Sequence, residues 1–424
     1  MTRRGSYAWG LCAWLIACHA GVEPEGPTTP RRDNGQSSLP LTMAGGIGHL
    51  PMVGCVGFDF LARFNVGGQS FSLLVDSGST TLALARASCS TCKVPDAYRL
   101  SSTAHPSAHL ASSRYLDGSE WLGTVIVEQV AAGDDRALQS PPVPVAVVGI
   151  DKEKDFFQAV NCTARADTPF DGIIGLGLDA QLEPNTTSFL SALVDVGALA
   201  RDAFALQTCD VGGDLWLGGF DAGRTLAAPE YTPMHGTDSR INRNNAYTVD
   251  LLALAVGDTD VDPSAESLGP MVVDNGTNAL VLSKAAFASL ERALEADANY
   301  RAQFDVGFLS GARGDCVPAA GKLSREQLDA ALPKLVLTFP RGDGTSFDLA
   351  LPATQSYLVA GVNDGDRART VRYCPAVVAG SRLSLLGNVA LRGHVVIFDR
   401  AGQRIGFAPQ TGCQASSIIL PAGT

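Results

Sequence analysis

Two aspartates, Asp76 and Asp274, stand in segments that repeat one another. Val75-Asp76-Ser77-Gly78-Ser79-Thr80-Thr81-Leu82-Ala83-Leu84 aligns without a gap to Val273-Asp274-Asn275-Gly276-Thr277-Asn278-Ala279-Leu280-Val281-Leu282, and five of the ten positions are identical, too many for an accidental tripeptide match. A pair of carboxyl groups can handle both proton transfers of a hydrolysis. Held close together, two like charges resist ionising at once, so one group serves as base while the other keeps its proton and serves as acid. Such a pair takes a proton from water and returns one to a leaving group. The titration belongs to the pair, and the sequence does not say which aspartate carries the proton.

The surrounding residues indicate how the acids are positioned. Each follows a β-patterned stretch, Phe71 to Val75 or Pro270 to Val273, and each is followed two positions on by a glycine, where a strand must turn. A second signal trails each acid: Phe170-Asp171-Gly172-Ile173-Ile174-Gly175 ends 99 positions after Asp76, and Leu383-Ser384-Leu385-Leu386-Gly387 ends 113 after Asp274. Two apolar residues closing on a glycine suit a strand buried beneath the active turn, where a missing side chain lets another backbone approach. Two related lobes are expected.

Between these marks run short strands with Gly, Pro and Asp turns, at Phe58 to Val66, Trp121 to Val130, Tyr247 to Val256, Lys334 to Phe339 and His394 to Asp399, so the fold class is all-β. Helices are expected over Ser188 to Leu199 and from Ser283 to about Tyr300, where Ser283 caps and Phe287, Leu290 and Leu294 recur at helical spacing. The chain has 424 residues, 46% hydrophobic and 18% charged, enough apolar material for a large core. Net charge is −11, with no basic run to track a phosphate backbone, so nucleic acid is not an expected partner.

Together, the paired Asp-x-Gly-(Ser/Thr) motifs, the two hydrophobic-hydrophobic-Gly segments and the closing stretch Leu386 to Asp399 with Ile405-Gly406-Phe407-Ala408 resemble the pepsin-like aspartic proteases over about residues 50 to 413. The resemblance implies a bilobal fold with its cleft between lobes spanning 39–208 and 209–424. It implies an aspartic endopeptidase in which Asp76 and Asp274 hold one water that attacks the scissile carbonyl without a covalent intermediate. Gly78 and Gly276 would let the two turns approach, and Ser79 and Thr277 match hydroxyls that hydrogen-bond the carboxylates; simple turn chemistry is the bland reading of both. Substrates would be proteins or peptides in extended conformation, cut between bulky apolar residues and best at acidic pH. No cofactor or metal is implied, and a monomer is expected.

Three positions depart from the family pattern. Asn275 occupies the place next to the second acid where, with Ser77 opposite, a small hydroxyl residue ties the loops together; the amide keeps a donor and an acceptor but is longer, which puts the coupling of the loops in question. Asn388 replaces an aspartate after the second hydrophobic-hydrophobic-Gly, a change outside the dyad that is expected to be tolerated. In the flap, the hairpin that closes over substrate, Tyr115-Leu116-Asp117-Gly118-Ser119 is the best match, with Tyr115, Gly118 and Ser119 as binding residues. Ala83 stands where the family has a tryptophan supporting that tyrosine, which leaves two readings open: Trp121 compensates, or the flap is unusually mobile.

The leader carries an address. Arg3 and Arg4 precede a short apolar stretch, Tyr7 to Ala17, and then Leu15-Ile16-Ala17-Cys18, which resembles the signal and lipobox of bacterial lipoproteins. That reading gives a signal peptide over 1–17, a lipid on Cys18, a solvated tether over 18–38 and an envelope location, with His19 favouring the outer membrane; an ordinary signal peptide is the alternative. The stretch is too short and of the wrong composition for an inhibitory propeptide, so none is expected. Eight cysteines remain in the domain, and an even number in an exported chain reads as four disulfides. The family resemblance suggests Cys89 with Cys92, Cys316 with Cys374 and Cys209 with Cys413, leaving Cys55 with Cys162. A redox or zinc reading of Cys89-Ser90-Thr91-Cys92 lacks a βαβ context and a second ligand pair.

Rival chemistries lack their residues. There is no Gly-x-Ser-x-Gly. His105 and His109 enclose a proline and no glutamate, so they do not make a metallopeptidase helix, and Gly212-Gly213 lies outside any βαβ unit. The serious alternative is a protease-like envelope protein that binds without cutting, since a fold does not guarantee chemistry.

Overall fold

The computed structural model describes residues 46–413 apart from 56–58, 116, 135–136, 158–169, 236–245, 262–267, 312–315, 364–369 and 381–383. The chain is mostly β, and its strands show the two-residue burial period that makes one sheet face the core: Ser346–Leu351 alternates exposed and buried at every step. Leu335–Pro340 alternates likewise beside it.

One arrangement of strands occurs twice. In the first lobe, Gln69–Asp76 runs parallel to Gly172–Gly175, which is antiparallel to Leu82–Ala85, which is parallel to Val143–Lys154. In the second, Pro270–Val273 runs parallel to Ser384–Leu386, which is antiparallel to Leu280–Ser283, which is parallel to Val377–Gly380. Order and sense are the same in both. The acid-bearing strand therefore always lies against the hydrophobic-hydrophobic-Gly strand, with Asp76 opposite Gly175 and Val273 opposite Leu386. The two glycines are dictated by sterics: a Cβ on Gly175 would sit 2.4 Å from the Thr80 nitrogen, and one on Gly387 2.4 Å from the Thr277 carbonyl oxygen.

A shared sheet joins the halves. Ala203–Thr208 and Val211–Leu217 form a hairpin whose first strand pairs with His394–Asp399 and whose second pairs with Gly48–Cys55. The residue 208/209 junction thus falls in the turn of that hairpin. Tyr247 donates to the Leu176 carbonyl at 2.6 Å, Arg201 pairs with Asp399 and Arg400 with Asp179 at 2.7 and 2.8 Å, and Cys209 is bonded to Cys413. Cys89–Cys92 and Cys316–Cys374 are also closed. Cys55 is buried and disulfide-bonded, while Cys162 lies outside the described residues, as do the leader, Cys18 and the tether.

The expected elements form with shifted ends. Ser283 caps a helix over Lys284–Ala296 that buries Ala286, Phe287, Leu290 and Leu294, but the helix stops before Tyr300. Asp297 leaves the helical conformation and caps a second, short helix, Ala298–Gln303, through a bond from the Tyr300 nitrogen at 2.8 Å. The helix expected over Ser188 to Leu199 spans only Phe189–Asp195 and gives way to a left-handed Gly197. Tyr247 to Val256 is not one strand: Thr248–Asp250 pairs with Pro270–Val273, whereas Ala253–Val256 belongs to another sheet and pairs with Leu335–Pro340.

Candidate active site

Because the acid strands end at the same level, the two turns meet face to face. Asp76 and Asp274 are each 1% exposed, and their carboxyls lie within hydrogen-bonding reach of one another. Each acid is gripped by its own loop. The Gly78 nitrogen donates to Asp76 Oδ1 at 2.7 Å and the Gly276 nitrogen to Asp274 Oδ1 at 2.9 Å, while Thr277 Oγ1 donates to Asp274 Oδ2 at 2.7 Å. Ser79 lies beside Asp76 closely enough to favour its ionised form, yet its Oγ is buried without a well-formed hydrogen bond.

Both glycines face the opposite acid. A Cβ on Gly78 would fall 2.5 Å from Asp274 Oδ1, and one on Gly276 would fall 2.3 Å from Asp76 Oδ1. Any side chain at either position would push the carboxylates apart. Glycine is required here for close approach.

Burial raises the proton affinity of both acids, and Asp76 raises that of Asp274 further, so Asp274 stands well above the usual carboxylate range. Asp274 and the backbone amides pull Asp76 the other way. The pair therefore retains a proton under conditions where isolated carboxylates have lost theirs.

The loops are locked together by Ser77 and Asn275. The Ser77 nitrogen donates to Asn275 Oδ1 at 2.8 Å, the Asn275 nitrogen donates to Ser77 Oγ at 3.0 Å, and Asn275 Nδ2 donates to the Val75 carbonyl at 2.8 Å. The longer amide thus spans the gap with both of its ends. Asn388, which the sequence left outside the site, supports the same loop: it is fully buried and its Nδ2 donates to the Asn275 carbonyl at 2.6 Å.

Over the first lobe, the strands His105–Arg114 and Glu120–Asp134 form a hairpin whose turn is Tyr115 to Ser119. The Tyr115 nitrogen donates to the Ser119 carbonyl at 2.8 Å, and Gly118 adopts a left-handed φ of 89° to close the turn. Trp121 Nε1 donates to the Tyr115 hydroxyl at 2.9 Å, and the tyrosine ring stacks on Phe156 with centroids 5.6 Å apart. Tyr115 is therefore braced by Trp121 of its own hairpin and by Phe156 beyond it, while Ala83 is buried in the strand Leu82–Ala85. Ser119 is 2% exposed, with an unpartnered Oγ.

Comparison with known proteins identifies the family. Residues 60–410 match the eukaryotic aspartyl protease family. The chain belongs to that family. It is 25% identical over 349 residues to an aspartic protease of Phaffia rhodozyma, covering 81% of this chain and 74% of that protein. It is 24% identical over 371 residues to a beta-secretase of Strongylocentrotus purpuratus, covering 81% of this chain and 64% of that protein. Against pepsin A of Sus scrofa, identity is 23% over 376 residues, with 86% and 84% covered. The protease is a hydrolase of the aspartic endopeptidase class. Among its described residues no helix is long and apolar enough to cross a membrane.

Proposed function

We propose that this aspartic protease hydrolyses peptide bonds with one water molecule held between Asp76 and Asp274. The reading rests chiefly on one observation: two buried carboxyls within hydrogen-bonding reach, each facing the glycine of the other's loop. In that arrangement the ionised carboxylate removes a proton from water as the oxygen attacks the scissile carbonyl, and the protonated partner gives its proton to the carbonyl oxygen. The product is a neutral gem-diol with both acids exchanged in role. Its collapse returns a proton to the leaving nitrogen, and no bond to the protein forms.

The remaining residues hold this pair. Ser77, Asn275 and Asn388 fix the distance between the loops, Gly78 and Gly276 permit it, and Thr277 with Ser79 bias the ionisation. Tyr115, Gly118 and Ser119 form the flap that covers an extended substrate and excludes bulk water. The unpartnered hydroxyls of Ser79 and Ser119 suit a site completed by groups from solvent or substrate, since a buried polar atom left unmet costs about 1–3 kcal/mol.

The leader supports export, with Cys18 lipidated and residues 18–38 tethering the protease to an envelope membrane. Mass spectrometry of the purified membrane-bound protein reads this directly, through a diacylglyceryl adduct on Cys18. For the enzymatic reading, the test is cleavage of a peptide mixture at several pH values by the purified domain beside its Asp76→Asn and Asp274→Asn variants.

A further inference from the structure

The two faces of the sheet shared by the lobes have different surroundings. Phe204, Leu206, Leu215 and Leu217 join the main core, together with Val75 and Val273 of the acid-bearing strands. The alternate residues Ala205, Trp216, Val395 and Ile397 carry a small apolar cluster on the opposite face, away from the dyad. An open groove of about 350 Å³ lies on that face, lined by Ile47, His49, Trp216, Phe220, Ala222 and Arg224. The His49 ring stacks on Trp216 with centroids 5.6 Å apart.

The charges of the groove are matched among themselves. His49 Nε2 meets Asp214 Oδ1 at 2.7 Å, while Arg224 Nη2 lies 3.2 Å from Asp214 Oδ2 and Arg224 Nε 4.0 Å from Asp221 Oδ2. One donor is left over: Arg224 Nη1 is buried and has no hydrogen-bond partner among the described residues. A fitting occupant is therefore uncharged, apolar in its side chains and able to offer a carbonyl oxygen, as an extended stretch of polypeptide does.

Such a stretch leaves the fold at the edge of this groove. The Thr411 nitrogen donates to the Arg224 carbonyl at 2.9 Å, and Gln207, the cross-strand neighbour of Asp214, donates through Nε2 to Gln410 Oε1 at 2.7 Å. Beside them Leu226, 72% exposed, donates its nitrogen to the Pro409 carbonyl at 2.7 Å. The bond of Cys413 to Cys209 fixes the point of departure. Residues 414–424, beyond the described part, carry no charged side chain and hold Ile418, Ile419 and Leu420 in succession. Gln414 to Ser417 span up to about 13 Å, enough to carry Ile418 from the Cys209 end of the hairpin toward Trp216. We propose that the segment 414–424 seats in this groove, with its apolar triplet against Trp216 and Phe220 and a backbone carbonyl accepting from Arg224 Nη1. The seated segment straps the last strand of the chain to Ile47 and His49 of the first. Because the contact is intramolecular, modest complementarity suffices to hold it.

Hydrogen exchange of the full chain, read by mass spectrometry, tests the seating. The amides of Ile418, Ile419 and Leu420 are expected to exchange at least about tenfold more slowly than in the free peptide of residues 414–424. Ala222→Arg, which lays a long charged side chain across the exposed rim, and Phe220→Asp bring them to the peptide rate, with unchanged exchange in Gln69–Asp76 showing that each variant is folded. Ile419→Asp, outside the folded core, has the same effect, and Ile419→Val keeps the protection. Exchange at the peptide rate in the unaltered protein, or protection that survives both groove variants, overturns the proposal. So does protection that rises with protein concentration, which would assign the groove to a second copy, or protection found at residues 39–45 in place of 418–420.

Discussion

Asn275 and Ser77 hold each other's loops, each accepting with its side chain the backbone N–H of the other across 198 positions of sequence. The exchange puts the coupling of the two lobes at the level of the Asp76 and Asp274 carboxyls. It also extends to the Val75 carbonyl, one residue before Asp76.

Replacing Asn275 with alanine strands the Ser77 N–H and the Val75 carbonyl in a buried place. At about 1–3 kcal/mol for each unmet group, a loss of roughly 2–6 kcal/mol in unfolding free energy is expected. A fall in kcat accompanies it, because the acids lose their fixed spacing. Asn275→Thr keeps a donor and an acceptor in one hydroxyl and is expected to retain most of both. Denaturant unfolding together with steady-state kinetics checks the pair; equal behaviour of the alanine and threonine variants would contradict the tie.

Trp121→Phe keeps the ring in the flap and removes the N–H that reaches Tyr115. One lost hydrogen bond of about 1 kcal/mol corresponds to roughly a fivefold loss. It is expected in KM more than in kcat, since the flap is braced before chemistry. Peptide hydrolysis rates over a range of substrate concentration separate the two.

Stability should fall as pH rises from about 4 to 7. Asp59 with a pKa of about 7 and Asp171 with one of about 6 hold protons in the folded state, under burial, that the unfolded chain has already released, and the dyad acts in the same sense. Over that window the native state binds more protons, so each step upward in pH favours unfolding. Asp210 and Asp399, held below the usual range by arginines, act oppositely and lose their stabilising effect only below about pH 4. A thermal melt series is expected to peak between pH 4 and 5, and Asp59→Asn to flatten its neutral limb.

Removing Cys209–Cys413 frees a loop of sequence separation 204, whereas Cys89–Cys92 closes one of 3. Loop-closure entropy makes the first removal cost about 3–5 kcal/mol and the second far less. Paired serine substitutions followed by chemical denaturation test the difference.

The repeat around Asp76 and Asp274 made much of the architecture legible, because an acid at a strand end followed by Gly has one arrangement that brings two such turns together. Less visible were features that depend on distant chain segments. Nothing local distinguishes Asp59 from an ordinary loop acid; its setting arises only when residues 59, 76, 117 and 278 converge. The pairing of Ala203–Thr208 with His394–Asp399 was likewise hidden, since apolar alternation indicates a strand and not its neighbour. Trp121 could be named as a support for Tyr115 because both lie in one hairpin, where register links them. The break at Leu251-Leu252 was missed because apolar residues continue through it while the strands change sheets. Asn275 raised a question about loop coupling that only the geometry of its amide answers.

In the proposed mechanism both aspartates act on one water. Asp76→Asn and Asp274→Asn each keep the shape of the site and remove one titrating group. The decisive measurement is the rate of peptide cleavage by these two variants beside the unaltered domain, with folding verified by circular dichroism. Activity should fall by about a thousandfold or more in either variant, since acid and base work as one unit. Cleavage that persists at a comparable rate in a folded Asp76→Asn or Asp274→Asn variant would contradict the account.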